Sequence, residues 1–318
     1  AIVAHFSGVE QPWVSRGSQM ALIPVWFLAV YIQIALLVPV SHWLWRRFGW
    51  GSILGLGAAA AAVDWAFFQG SLVAGAWVNY LLVWSCVHQL GYAWRAGHLN
   101  GSIKPLALAI FGGGALFCLV HFGPYPVSMV GVPGEKISNS MPPKISLICL
   151  GCLQVGLLLS IQDAMGRWLK GLRVWAATVL INTMIMTLFL WHMTVMILSV
   201  GAAHLMGDVG LTSTPNSGEW WAQKAIWLWV FTLALFPAVA IFGRFERPRD
   251  LPKGCAPLAP WRLVIGALMV CFGLAAVAYG GVADDMPLGL RWTTLVPPFV
   301  GAALTRRWHK PTPQGVAP

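Results

Sequence analysis

The chain has 318 residues, 58% of them hydrophobic and only 9% charged, where an ordinary soluble domain carries about 25% charged residues. That deficit excludes a water-soluble globule and leaves a polytopic membrane protein. The net charge of +10 lies in short basic clusters between apolar runs, with no stripe long enough to track phosphates; it indicates loops beside anionic lipid, and nucleic acid is not an expected partner.

The first apolar run, Met20–Trp43, holds no charged side chain and is followed at once by Arg46 and Arg47. As a helix it would be ~36 Å long, enough to cross a ~30 Å hydrocarbon layer with some tilt. Eight further runs follow: Gly51–Gln69, Val78–Trp94, Ile103–Phe122, Pro143–Ile161, Val174–Leu205, Trp220–Phe242, Trp261–Tyr279 and Leu290–Leu304. The sixth is long enough to tilt or to continue beyond the bilayer. The ninth is short and contains Pro297-Pro298. The expected fold class is all-α, a transmembrane helix bundle of about nine spans forming one domain over 1–318.

The connections alternate in charge. The first, third, fifth and seventh are basic, with Arg46 and Arg47, then Arg95, then Arg167, Lys170 and Arg173, then Arg244, Arg247, Arg249 and Lys253. The tail, 305–318, adds Arg306, Arg307 and Lys310. The others hold Glu135 with Lys136, then Asp208 and Glu219, then Asp284 and Asp285. Basic loops stay in the cytoplasm, so this pattern predicts an outside N-terminus, a cytoplasmic tail and a multi-pass protein of the inner (cytoplasmic) membrane. Trp13, Trp43, Trp45, Trp50, Trp94, Trp220, Trp221 and Trp261 fall near the predicted boundaries, as an aromatic belt requires.

Small residues mark expected helix contacts: a GxxxG from Gly51 to Gly55, and Gly112-Gly113-Gly114 within the fourth run. Of six cysteines, Cys255 lies in a basic loop and Cys86, Cys118, Cys149, Cys152 and Cys271 in apolar runs. Cys149 and Cys152 have redox spacing, but inside an apolar helix they read as small packing residues. The largest external loop, Gly123–Pro142, is too polar and proline-rich to span, and its composition suits an irregular segment that re-enters the bundle.

Polar groups inside a bilayer are costly and face the bundle interior or water. Here they are Gln33, Asp64, His88, Gln89, Gln154, Asn182 and His192, with His42, His121 and His204 at helix ends. His88 lies toward the cytoplasmic end of its run and His192 past the middle of the sixth, so their depths differ and a shared haem is not expected. For each histidine, a packed, hydrogen-bonded side chain and a functional one are both open at this point. Asp64 either pairs with a cation or sits near the outer water.

Four segments, PVWFLAVYIQIALLVP (24–39), NYLLVWSCVHQLGYAWRAG (79–97), YPVSMVGVPGEKISNSMPPKISLICLGCLQVGL (125–157) and MTLFLWHMTVM (186–196), together resemble the integral-membrane acyltransferase family 3, especially its actinobacterial-type members. The resemblance implies transfer of an acyl group from cytoplasmic acyl-CoA, as cosubstrate, to a hydroxyl of a glycan or small-molecule acceptor, with no bound cofactor. It makes His88 and His192 the catalytic candidates. Gln89, Ser128, Asn139, Lys144 and Trp191 would line the substrate passage, and Arg167, Lys170, Arg173 and Arg244 would meet the acyl-CoA phosphates. The family opens with a helix carrying arginines and a histidine thought to be the base. Only 24 residues precede Val25 here, and their one histidine, His5, does not match that helix. The expectation is therefore an N-terminally incomplete acyltransferase or a descendant without the catalytic helix. The alternative is a non-catalytic, acyltransferase-derived structural subunit bound to other membrane subunits. A transporter is a weaker reading, since no internal repeat is visible.

Overall fold

A computed structural model describes residues 20–131, 137–246, 258–282 and 287–306. His5, Trp13, Glu135, Lys136, Arg247, Arg249, Lys253, Cys255, Asp284, Asp285, Arg307 and Lys310, named above, lie outside the described residues.

The described chain is helical, with no strand and one isolated bridge between Ser140 and Pro143. In order, the helices are α1 (Val25–Phe48), α2 (Trp50–Phe68), α3 (Asn79–Arg95), α4 (Ile103–Phe122), α5 (Ile145–Ser160), α6 (Gln162–Trp168), α7 (Leu172–Asn182), α8 (Ile185–Leu205), α9 (Gly218–Phe242), α10 (Pro260–Gly280) and α11 (Trp292–Thr305). Six stretches are long and apolar enough to cross a membrane: Met20–Phe48, Trp50–Phe68, Ile103–Phe122, Ile185–Leu205, Gly218–Phe245 and Pro260–Gly280. The pair α5–α6, bent by 53° at its break, makes a seventh if it is one span. The described chain is all-helical, and its apolar helices make it a multi-pass membrane protein.

The long sixth run is not one helix. It divides into α7 and α8 around Thr183-Met184. The Thr183 hydroxyl donates to the Leu180 carbonyl at 2.7 Å. The backbone N–H groups of Met186 and Thr187 then donate to the Glu246 carboxylate. A carboxylate at a helix N-terminus satisfies orphan donors and complements the macrodipole, so the start of α8 is fixed from 59 residues away.

The chain forms two compact units, one from Gln33–Trp175 and one from Ala1–Ile32 with Ala176–Pro318. In the first, α2 and α3 form a hairpin against α5, and α4 packs closely along α5. α2 and α3 each end on a glycine with positive φ, Gly70 and Gly97. Ser71 N–H donates to Ala66 and His98 N–H to Ala93, the six-residue closure of a Schellman motif. α3 carries polar groups along one face and turns that face inward, burying Asn79, Val83, Ser85, Cys86, Gln89, Leu90 and Ala93. In the second unit α10 packs along α11 and α8 along α9. Phe27 meets Phe189 at 4.8 Å between ring centroids and Trp191 stacks on Phe242 at 4.1 Å.

Glycine sets the closest approaches. A Cβ on Gly112 would lie 2.6 Å from Leu153 N, 2.7 Å from Cys149 O and 2.8 Å from Cys152 Cβ. On Gly156 it would lie 2.5 Å from Ala109 N and Pro105 O. Cys149 and Cys152 thus serve as small packing residues in the α4–α5 seam, as their apolar setting implied. The expected GxxxG of α2 is different: a Cβ on Gly51 meets just Phe48 Cβ, at 3.7 Å, and one on Gly55 nothing within 4 Å. The stripe that matters in the second unit joins Gly266 and Gly301 across α10 and α11, where a Cβ on Gly266 would lie 2.8 Å from Gly301 O.

Gly112→Ala is therefore expected to destabilise the protein by about 1–3 kcal/mol through overpacking. Gly114→Ala, two residues away and facing open space, is expected to be neutral or to stabilise by up to ~1 kcal/mol through helix propensity. Thermal unfolding of both variants in detergent checks the pair.

Candidate functional site

The unit Gln33–Trp175 holds two polar clusters, one at each end of the α2–α3 hairpin. Ser52 and Asp64, which anchor them on α2, are separated by about 18 Å along the helix axis.

At one end the loop after α4 folds back onto the helices. Asp64, Asn79, Asn139, Lys144 and Ser146 are all fully buried. The Asp64 carboxylate accepts from Asn79 Nδ2 at 2.9 Å, Tyr125 OH at 3.2 Å and the backbone N–H of Ile145 at 2.8 Å. Lys144 Nζ lies 4.0 Å from Asp64 Oδ1 and 3.6 Å from the centroid of the Phe67 ring. It makes no hydrogen bond among the described residues. Burial, and then the neighbouring Asp64 charge, push the Tyr125 phenol well above its ordinary range. Asn139 organises the loop itself: its amide donates to Pro126 O at 2.7 Å and Ser128 O at 2.9 Å, and its Oδ1 accepts from Ser146 Oγ at 2.7 Å. Ser128 Oγ donates to Val130 O at 2.8 Å. The loop thus returns to the bundle, as its composition suggested, and its buried charge is paired.

At the other end Gln89, fully buried, accepts from Ser52 Oγ and donates to Ser41 O at 3.4 Å, tying α3 to both α1 and α2. Beside Gln89 on α3, His88 meets Tyr92, one turn further on, edge to face with centroids 5.0 Å apart. His42 meets the opposite side of this group, 5.4 Å from Tyr92. Trp45 lies 6.4 Å from Tyr92 and 5.7 Å from His98, and Trp50 Nε1 donates to His98 Nδ1 at 3.1 Å. Three enclosed polar atoms here find no hydrogen-bond partner among the described residues: His88 Nδ1, Tyr92 OH and Ser41 Oγ. Each such atom costs about 1–3 kcal/mol of desolvation, and a group of them in one place marks a site built for something other than stability.

The remaining sequence candidates fall elsewhere. Arg167 is on α6, and Lys170 and Arg173 follow it, all three exposed. His192, Trp191 and Arg244 belong to the other unit. His192 is exposed and its Nδ1 lies 2.5 Å from Phe189 O on its own helix. Trp191 is committed to the Phe242 stack, and Arg244 is exposed with its guanidinium 4.9 Å from the Phe245 ring. So His88 and Gln89 lie together, Ser128, Asn139 and Lys144 lie together, and His192, Trp191 and Arg244 form no part of either cluster. Sequence reading missed Tyr92, Ser41 and Tyr125. The His88–Tyr92 spacing of four, which puts both on one helix face, was the available signal for Tyr92. No group of three His, Cys, Asp or Glu placed to hold a metal occurs among the described residues.

Comparison with protein-family models, with curated proteins and with solved structures finds no match.

The Asp64–Lys144 pair yields a direct expectation. Asp64→Asn leaves an enclosed ammonium without its counter-charge and should cost about 3–5 kcal/mol. Removing the ammonium as well, in Asp64→Asn/Lys144→Met, should recover most of that loss, as read from thermal unfolding of the single and double variants.

Proposed function

We propose that this protein is a membrane O-acyltransferase, moving an acyl group from cytoplasmic acyl-CoA to a hydroxyl of a glycan or small-molecule acceptor. The observation that carries the reading is the setting of His88. It lies half-buried on α3, a helix with polar groups along its buried face, with enclosed, unpartnered polar atoms beside it. The resemblance of four segments to acyltransferase family 3 supports the same reading, and two of those segments, 79–97 and 125–157, build the two polar clusters of one unit.

In the proposed reaction the acceptor hydroxyl attacks the thioester carbonyl while a histidine imidazole takes its proton. The C–O bond forms, the C–S bond breaks, and the imidazolium returns the proton to the leaving CoA thiolate. His88 is the histidine of the described chain best placed for this role, and His192, with Nδ1 against its own helix carbonyl, is the second candidate. In the unit Gln33–Trp175 the exposed cations Arg167, Lys170 and Arg173 are available to the CoA phosphates as charge-assisted partners. Within the unit Gln33–Trp175, Gln89 at one end of the hairpin and Ser128, Asn139 and Lys144 at the other would line the passage in this reading.

The proposed topology is nine crossings of the cytoplasmic membrane, with the N-terminus outside and the C-terminus inside. The alternation of basic and neutral or acidic connections supports it. A membrane-impermeant thiol reagent is expected to label Asn216→Cys in intact cells and Arg167→Cys only after permeabilisation. Labelling of both from one side overturns the topology.

His88→Ala is expected to lower acyl transfer from radiolabelled acetyl-CoA into the membrane fraction by well over tenfold at unchanged expression. Transfer at the wild-type rate removes His88 from the reaction. Stable co-purification with other subunits in the absence of thioester turnover is the result expected of a scaffold instead.

A further inference from the structure

The cluster around His88 holds a group that the proton transfer leaves unused. Tyr92 stands one turn beyond His88 on the same face of α3, and its ring meets His88, His42 and Trp45 at centroid distances of 5.0, 5.4 and 6.4 Å. These contacts fix the ring by packing. Its hydroxyl is enclosed and accepts or donates no hydrogen bond among the described residues. A phenol held by its ring, with its O–H uncommitted, is a donor kept in position for an acceptor that the folded chain does not supply.

We propose that Tyr92 is a catalytic residue of acyl transfer, donating its O–H to the carbonyl oxygen of the acyl thioester. This rests on the acyl-transfer reading and adds to it the electrophilic half of the site. When the acceptor oxygen bonds to the carbonyl carbon, the carbonyl π pair moves onto oxygen. A donor already aimed there stabilises that charge more than it stabilises the ground-state carbonyl. The pair returns as the C–S bond breaks, and the Tyr92 proton stays on the phenol throughout. Nucleophile activation and oxyanion stabilisation would then come from residues four apart on one helix face, His88 and Tyr92, a spacing that holds their rings side by side whatever the loops do.

Other features carry less. The enclosed Lys144 ammonium is balanced by Asp64. The grooves between α8 and α9, about 330 and 620 Å³, meet at Gly210, Gln223 and Trp227, and Gln223 is already bonded to Ser213 and Glu219.

The experiment compares wild type, Tyr92→Phe and His88→Ala in native membranes, following CoA release and membrane-fixed label from radiolabelled acetyl-CoA. Tyr92→Phe is expected to lower kcat about a hundredfold, with KM for acetyl-CoA within about twofold. Because the hydroxyl bonds to nothing in the fold, the same variant should melt at or above the wild-type temperature, which separates a lost donor from a damaged structure. Wild-type turnover with Tyr92→Phe within about twofold of it, while His88→Ala is inactive, overturns the role of Tyr92 and leaves acyl transfer standing. No CoA release by the wild type overturns the acyl-transfer reading and the role of Tyr92 with it.

Discussion

The structure of the unit Gln33–Trp175 depends on how a polar helix is kept inside a bilayer protein. α3 carries Asn79, His88, Gln89, Tyr92 and Arg95 among apolar residues, and unpaired polar groups in hydrocarbon are costly. The chain meets that cost by packing one face of α3 against α2 and α5 and pairing buried groups at both ends. Asn79 is bound to Asp64, and Gln89 to Ser52 and Ser41. These two ties fix the register of the α2–α3 hairpin, because a slip of one residue would leave a carboxylate and an amide enclosed without partners. Asp64 also fixes the chain beyond the hairpin, since its second oxygen holds Tyr125 and the first N–H of α5. One carboxylate therefore joins α2, α3, the loop that follows α4, and α5.

The close α4–α5 seam is what allows that loop to come inward. With Gly112 and Gly156 removing side-chain bulk, the two helices approach backbone to backbone, and the segment that connects them returns over the end of the hairpin. Asn139 supplies the internal bonds that a polar loop needs once it leaves water, taking the carbonyls of Pro126 and Ser128. Lys144 then enters the interior as the counter-charge of Asp64, with the Phe67 ring covering its other side. Burial of this lysine is a consequence of the loop's path, which glycine packing sets some distance away.

Much of this was legible in the sequence for a physical reason: apolar runs must be helical in lipid, because only a helix satisfies its own backbone there. The runs therefore map onto helices closely, with Ile103–Phe122 reproduced residue for residue. The list of intramembrane polar residues likewise contained Asp64, His88 and Gln89, since a polar residue within an apolar run is conspicuous. What the sequence concealed depends on distant partners. The division of the sixth run needs Glu246, 59 residues from the N–H group it accepts from, and nothing near Thr183 foretells that carboxylate. The α2 GxxxG illustrates the converse. The spacing is present, but no neighbouring helix comes within reach of it, because small residues permit close approach without causing it. Tyr92 was overlooked because a tyrosine near a helix end reads as a member of the aromatic belt, and only the fold shows its hydroxyl turned away from any partner.

The two ends of the hairpin hold their polar groups differently. At the Asp64 end three hydrogen bonds and an ammonium meet one carboxylate, and Asn139 joins loop to helix through both atoms of its amide, while Asn79 Oδ1 and Lys144 Nζ find no hydrogen-bond partner among the described residues. That arrangement suits a fixed wall. At the His88 end three enclosed polar atoms leave their bonding capacity open, while the rings of Trp45, Trp50 and His98 hold one another by edges and a single indole–imidazole bond. A protein optimised solely for stability would place apolar groups where His88 Nδ1, Tyr92 OH and Ser41 Oγ stand, because each of those atoms weakens the fold in the absence of a partner. The carboxylate-centred end thus ties four segments of the chain together, and the ring-lined end leaves three polar atoms open on the same helix pair and the helix beside it.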